Sequence, residues 1–211
     1  MEKSLKVLVV EDSEDDTQLL LRELKRGGYV VQYQRVESAE EMSRLLIKDS
    51  WDLVISDYSM PRFSALQALE TLKASGLDLP FIIISGTIGE DTAVSAMRAG
   101  AHDYLLKGKL KKLIPVIQLE LREAQEREGR RRADEALRQT EERYRDLVEN
   151  ARDIIYEHDL DGNYTSSNKA GEQITGYSRE EALKLNIAQI VAPEYLEKAK
   201  EMIRRKLAGE R

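Results

Sequence analysis

The chain has 211 residues, 34% of them charged, with a formal net charge of −6 and no cysteine. That length suits one large domain or two smaller ones, and the acidic balance argues against a surface given over to nucleic acid. The missing thiols exclude disulfides and thiolate metal sites, which fits a reducing compartment.

The N-terminus MEKSLKVLVVEDSEDD is unlike a secretory signal, because its apolar run is short and acids follow at once. No apolar run approaches the roughly 18 residues of a membrane-spanning helix. The chain is therefore expected to be soluble and cytoplasmic, without a membrane partner. Five apolar runs read as strands: KVLVV (6–10), YVVQYQRV (29–36), DLVIS (52–56), PFIIIS (80–85) and DYLL (103–106). They are rich in β-branched residues and do not strictly alternate, so both sheet faces are expected to be covered. Amphipathic stretches at 14–26, 39–49, 65–75 and 90–99 read as the intervening helices. Ser13 with Asp16, Ser38 with Glu41 and Ser64 with Gln67 have capping-box spacing. Gly27, Gly28 and Gly100 stand where helices should stop. Five βα units in this order imply an α/β fold with a doubly wound, five-stranded parallel sheet.

A fifth helix is expected from about Leu110, with Leu110, Ile114, Ile117, Leu121 and Ala124 forming one apolar stripe. Residues 122–146 then hold eight arginines and eight acids of interleaved sign. Glu123/Arg127, Glu126/Arg130, Glu128/Arg132, Asp134/Arg138 and Glu141/Arg145 are spaced as helical ion pairs. This is the signature of a long solvated helix, and the equal signs make GRRRA (129–133) a solvated face, not a basic patch. A second stripe, Ala133, Leu137, Tyr144, Leu147 and Ala151, is out of phase with the first. A break in register near Gly129, and pairing with a second copy of the chain, are expected. DIIYEHDLDGNYTSSN (153–168) reads as two strands joined at Asp161-Gly162. Helices are expected at 169–175, 179–185 after a Ser178/Glu181 box, and 193–207. His102 and His158 read as solvated.

Ligands bind an open α/β sheet beyond the carboxyl ends of its strands, where strand order reverses. Glu11 and Asp12 end the first strand, Asp57 the third, Ser85 the fourth and Lys107 the fifth. Three clustered carboxylates repel one another and call for a cation, and hard oxygen ligands with room for water suit Mg²⁺. A nucleotide would need a glycine-rich loop after the first strand, where EDSEDD stands instead.

VVEDSEDD, LVISDYSMP, IIISGT and DYLLKG, in this order, make residues 1 to 125 resemble the receiver domain of bacterial two-component response regulators, a flavodoxin-like fold. The resemblance implies that Asp57 accepts a phosphoryl group from a histidine kinase or phosphotransfer protein. It implies that Glu11, Asp12, Asp57 and the backbone carbonyl of Ser59 hold Mg²⁺. Ser85 and Lys107 match the hydroxyl and ammonium that meet the phosphoryl group, and Tyr104 the aromatic that swings on activation. One departure is Gly108 after the lysine, where receivers usually carry proline. RYRDLVENARDIIYEHDLDGNYTSSNKAGEQITGYSREEAL (143–183) resembles the first half of a PAS sensory domain. The family's last three strands do not follow, so a C-terminally truncated PAS unit over 144–211 is expected, joined by a helical linker over 110–150. Without cysteine there is no flavin thiol adduct, and without histidine in 193–207 no haem ligand in that helix. The expected function is a phosphorylation switch, not a separate enzyme, that assists its own phosphorylation and dephosphorylation. It would relay through the linker to the PAS module and an output domain absent from this chain. A homodimer through the linker or the receiver surface goes with it. Two rivals are a metal-dependent phosphohydrolase on the same fold and a structural dimerisation module. The first is opposed by Ser59, which stands where such a hydrolase needs a second aspartate.

Overall fold

The computed structural model describes residues 3–86 and 90–207, which form two compact units, Met1–Arg131 and Arg132–Arg211. Thr87, in the IIISGT stretch, lies outside the described residues. Among the described residues, no helix is long and apolar enough to cross a membrane.

The first unit is built on a parallel sheet of β1 (Lys3–Val10), β2 (Tyr29–Val36), β3 (Leu53–Asp57), β4 (Phe81–Ser85) and β5 (Asp103–Leu106). Their spatial order is β2-β1-β3-β4-β5, so the winding reverses between β1 and β3. The helices between them are α1 (Glu14–Arg26), α2 (Ala39–Lys48), α3 (Ala65–Ala74) and α4 (Glu90–Arg98). Side chains alternate between faces with the period of a strand. Leu8, Val10, Val54, Phe81 and Ile83 pack with Met42 and Leu46 of α2, Leu69 and Leu72 of α3 and Ala96 of α4. Leu5, Val7, Val9, Ile55, Ile82 and Ile84 pack on the other face, with Leu20, Leu21 and Leu24 of α1. Both faces are covered, which is why the strands read as continuous apolar runs.

Local chemistry sets the helix ends. Ser13, Ser38 and Ser64 each accept the N–H three residues on, but only Ser64 completes a reciprocal box, with Gln67. Glu41 reaches instead to the N–H of Glu37. Gly28 and Gly100 take left-handed backbone at φ 83° and 94°, the conformation that ends a helix at least cost in glycine.

The fifth helix departs from expectation. A 3₁₀ helix spans Lys107–Lys112, and α5 runs unbroken over Leu113–Glu149. Gly129 does not interrupt it, because one interior glycine costs only about 1 kcal/mol. Leu113 and Ile117 seal the core on the α1 face. Several expected ion pairs are replaced, and Glu126 meets Arg122 in place of Arg130. Arg127 turns to Asp78, and Arg138 pairs with Glu135 and Glu142 instead of Asp134. His102 is half-buried, not solvated: its Nδ1 lies 3.1 Å from the Phe81 N–H and its Nε2 3.3 Å from Arg127.

The second unit holds an antiparallel hairpin, β6 (Tyr156–His158) and β7 (Tyr164–Ser167), turning at Gly162 with φ 86°. Helices α6 (Lys169–Thr175), α7 (Arg179–Ala182), α8 (Ile187–Ile190) and α9 (Pro193–Leu207) follow. The sequence reading missed α8, although its Asn186/Gln189 capping box was there to find.

Candidate functional site

Register brings the predicted residues to one edge of the sheet. Val10 pairs with Ser56, so Glu11 and Asp12 continue β1 beside Asp57 at the point where strand order reverses. Asp57 pairs with Ile84, and Ser85 with Leu106, so Ser85 and Lys107 fall at the same end. Ser59 lies exposed in the loop just after β3. Tyr104 on β5 is half-buried and edge-on to Tyr58, with ring centres 6.3 Å apart.

Glu11, Asp57 and Ser85 are only 6%, 7% and 3% exposed. Two buried carboxylates need compensation, since isolated charges are costly away from water. Arg35 at the end of β2 ties down Glu11 and Asp12, donating to both of their backbone carbonyls at 3.1 Å. Glu11 Oε1 accepts the Ser13 N–H at 3.0 Å. Carboxylate oxygens of Glu11, Asp12 and Asp57 lie within 4.8 Å of one another.

Lys107 supplies the positive charge. Its Nζ lies 2.5 Å from Asp16, 3.1 Å from Asp57 and 3.3 Å from Glu11. Burial works against this ammonium, but the hydrogen bonds of Asp16 and Asp57 and the charge of Glu11 carry its pKa above the ordinary lysine range. Burial also pushes the Glu11 carboxyl up, as does the Asp57 charge, against the Ser13 amide and Lys107. The cluster therefore carries more negative charge than one ammonium settles. An all-oxygen set of this kind fits a hard divalent cation.

The sequence pattern points to every member of this constellation except Asp16 and Arg35. Ser13 caps α1 through the Asp16 N–H, but the Asp16 side chain leaves the cap and crosses to Lys107. The peptide after Lys107 is trans, as are all the described peptide bonds, so Gly108 does not reproduce a cis turn.

Residues 7–118 match the family model of the response regulator receiver domain. The chain belongs to that family. Receivers of this family accept phosphoryl groups in two-component signalling, pair with histidine kinases or phosphotransfer proteins, typically bind Mg²⁺ in an acidic pocket, and are generally not classical enzymes. Residues 142–211 match the model of the PAS fold. Among curated proteins, the response regulator protein FleR of Pseudomonas aeruginosa is 37% identical over 102 residues, 48% of this chain and 21% of that protein. The response regulator MprA of Mycolicibacterium vanbaalenii is 32% identical over 103 residues, 49% of this chain and 44% of that protein. The chain thus spans less than half the length of these relatives. A receiver domain from Clostridium thermocellum, 28% identical, superposes with a TM-score of 0.50 over 57% of this chain and 97% of its own. The signal receiver domain of a Luxo repressor protein from Vibrio parahaemolyticus, 25% identical, gives 0.53 over 59% and 95%.

Proposed function

We propose that Asp57 is the phosphoacceptor of this receiver and takes its phosphoryl group from a histidine kinase or a phosphotransfer protein. The observation that carries this reading is the buried Asp57 carboxylate, set at the sheet's switch point with two further carboxylates and a lysine ammonium in reach. A carboxylate is a competent nucleophile for phosphoryl transfer. An Asp57 oxygen attacks phosphorus while the bond to the donor's imidazole nitrogen breaks. The electron pair leaves with the imidazole, and an acyl phosphate remains on Asp57. Glu11, Asp12 and Asp57, with the carbonyl of Ser59, would hold Mg²⁺, which neutralises charge on the phosphoryl oxygens. Lys107 meets the same charge from the β5 side, and the Ser85 hydroxyl donates to the new group. Tyr104 then changes its packing, which alters the face formed by α4, β5 and α5.

In this reading residues 1–125 form the receiver, 110–150 the signalling helix and 144–211 the PAS module. The helix pairs with that of a second copy, and the signal passes through the PAS module to an output. The work is cytoplasmic, needs no membrane or nucleic acid, and makes the chain a switch instead of a turnover enzyme.

The test is intact-mass spectrometry after incubation with acetyl phosphate and Mg²⁺. Wild type is expected to gain one phosphoryl group, and chelation of the metal or Asp57→Asn to abolish the gain. An equal gain in Asp57→Asn would place the acceptor elsewhere.

A further inference from the structure

Lys107 has a counterion that the phosphoacceptor chemistry does not require. Asp16 is the third residue of α1, and its N–H is tied to Ser13 Oγ at 3.2 Å, so the backbone beneath its carboxylate is fixed. Among the described residues, the carboxylates gathered closely enough to share a metal are Glu11, Asp12 and Asp57, without Asp16. Asp16 instead makes the shortest contact to Lys107 Nζ, at 2.5 Å against 3.1 Å for Asp57 and 3.3 Å for Glu11. An ammonium has three N–H donors, and three carboxylates stand around this one. Glu11, Asp16, Asp57 and Lys107 all line one small cavity of about 50 Å³.

We infer that Asp16 is a positioning residue for Lys107, holding the ammonium in the resting receiver and competing with the Asp57 phosphoryl group for it. The inference rests on Asp57 being the phosphoacceptor. Two effects act in one direction. A charge-assisted bond of this length draws Nζ toward α1 and occupies one of its donors. The Asp16 carboxylate also stands as a like charge beside a group that brings roughly −1.5 to −2. Both disfavour the phosphorylated state. Asp16 therefore sets how readily the receiver is switched on, without touching phosphorus or metal.

The experiment is a calorimetric titration of the full chain with beryllofluoride, an acyl-phosphate mimic, in the presence of Mg²⁺. Asp16→Asn and Asp16→Ala are expected to bind about tenfold more tightly than wild type, the scale set by removing one close like charge from a half-buried site. Asp15→Asn makes the same charge change on an exposed neighbour in the same helical turn, and is expected to leave affinity near that of wild type. In a Lys107→Ala background the gain from Asp16→Asn should shrink, a coupling that a purely structural role for Asp16 does not produce. Unchanged or weaker binding in both Asp16 variants would overturn the inference while leaving Asp57 as acceptor. So would an undiminished gain without Lys107, or an equal gain in Asp15→Asn. A wild type that does not bind beryllofluoride at all would overturn the reading of Asp57, and this inference with it.

Discussion

At the residue scale, single polar side chains fix the geometry of both units, and Asn168 does so in the second. It is 1% exposed and uses its whole amide. Oδ1 accepts from Ile155 and Gly171 at 3.0 and 3.2 Å, and Nδ2 donates to the carbonyls of Val148 and Asp153 at 2.9 and 3.0 Å. One side chain thus ties the end of α5, the segment before β6 and the start of α6. Asn168→Ala strands the Ile155 N–H and the Asp153 carbonyl, while the Gly171 N–H keeps the backbone carbonyl of residue 168 and the Val148 carbonyl keeps the Ala151 N–H. Polar groups left without partners cost about 1–3 kcal/mol each. The expected result is loss of hydrogen-exchange protection at the Ile155 amide, with unit destabilisation of about 2 kcal/mol or more. Asn168→Asp should do similar harm, since its carboxylate faces two carbonyls. Trp51, the one tryptophan, lies in the first unit and should report an unchanged unfolding there. Protection that survives in both variants would show that the backbone holds this junction unaided. The carboxylates and the lysine of the candidate site were readable in the sequence because each directly ends an apolar run. Asp16 was not, since its partner is 91 residues away and a nearer rule, the capping box, accounted for it equally well.

At the element scale, the five strands and first four helices follow from periodicity and punctuation, because both sheet faces are buried and the starts of α1, α2 and α3 are capped locally. The course of α5 was less readable. Its charges offered many near-equivalent partners along the helix, each worth only a few tenths of a kcal/mol, so tertiary contacts decide among them. Arg127 makes that choice, with two hydrogen bonds of 3.0 Å to Asp78 in the segment before β4. The same guanidinium faces His102 in the loop before β5. Phe81 N–H meets the other ring nitrogen, so both nitrogens face donors. A protonated ring would be repelled on both sides. Burial, and then the Arg127 charge, hold the His102 pKa below the ordinary value, while Asp78 and Glu123 oppose them. Unfolded His102 titrates near pH 6.5, so the two states bind protons equally well above that value. As pH falls below about 6.5 the unfolded chain takes the proton first, and stability is lost down to the lower folded pKa. Glu11 and Glu120 are raised mainly by burial, so their contribution has the opposite sign and improves as pH falls toward the ordinary carboxylate range. Comparison of variants separates the two. In urea unfolding followed by Trp51, wild type is expected to lose more stability between pH 7.5 and 5.5 than His102→Asn, whose amide oxygen still accepts the Phe81 N–H. Equal losses would mean that the ring titrates as it does in solvent.

At the scale of the whole molecule, the question is what α5 does with the apolar side chains it does not bury. Leu137, Tyr144 and Leu147 are 59%, 66% and 65% exposed. With Ala133 and Thr140 they recur at alternating spacings of four and three, the spacing that a coiled-coil seam uses. Around them the helix is laced with local pairs such as Arg138 with Glu135 and Glu142, which add little stability. A solvated helix with no further task would not need a leucine-tyrosine-leucine seam. Self-association along this stripe therefore makes a definite demand on the molecular mass in solution. By light scattering, wild type is expected at twice the chain mass, and the double variant Leu137→Glu, Leu147→Glu at the chain mass, with the Trp51 unfolding transition unmoved. Adding Mg²⁺ and beryllofluoride then tests whether assembly reads the state of Asp57. A mass change in wild type that is absent in Asp57→Asn makes association the output of the phosphoacceptor. A dimer whose mass ignores beryllofluoride in both proteins means that the signal travels along helices that stay paired. A wild type already at the chain mass removes the seam from the account, and leaves the face formed by α4, β5 and α5 as the surface through which phosphorylation must be read.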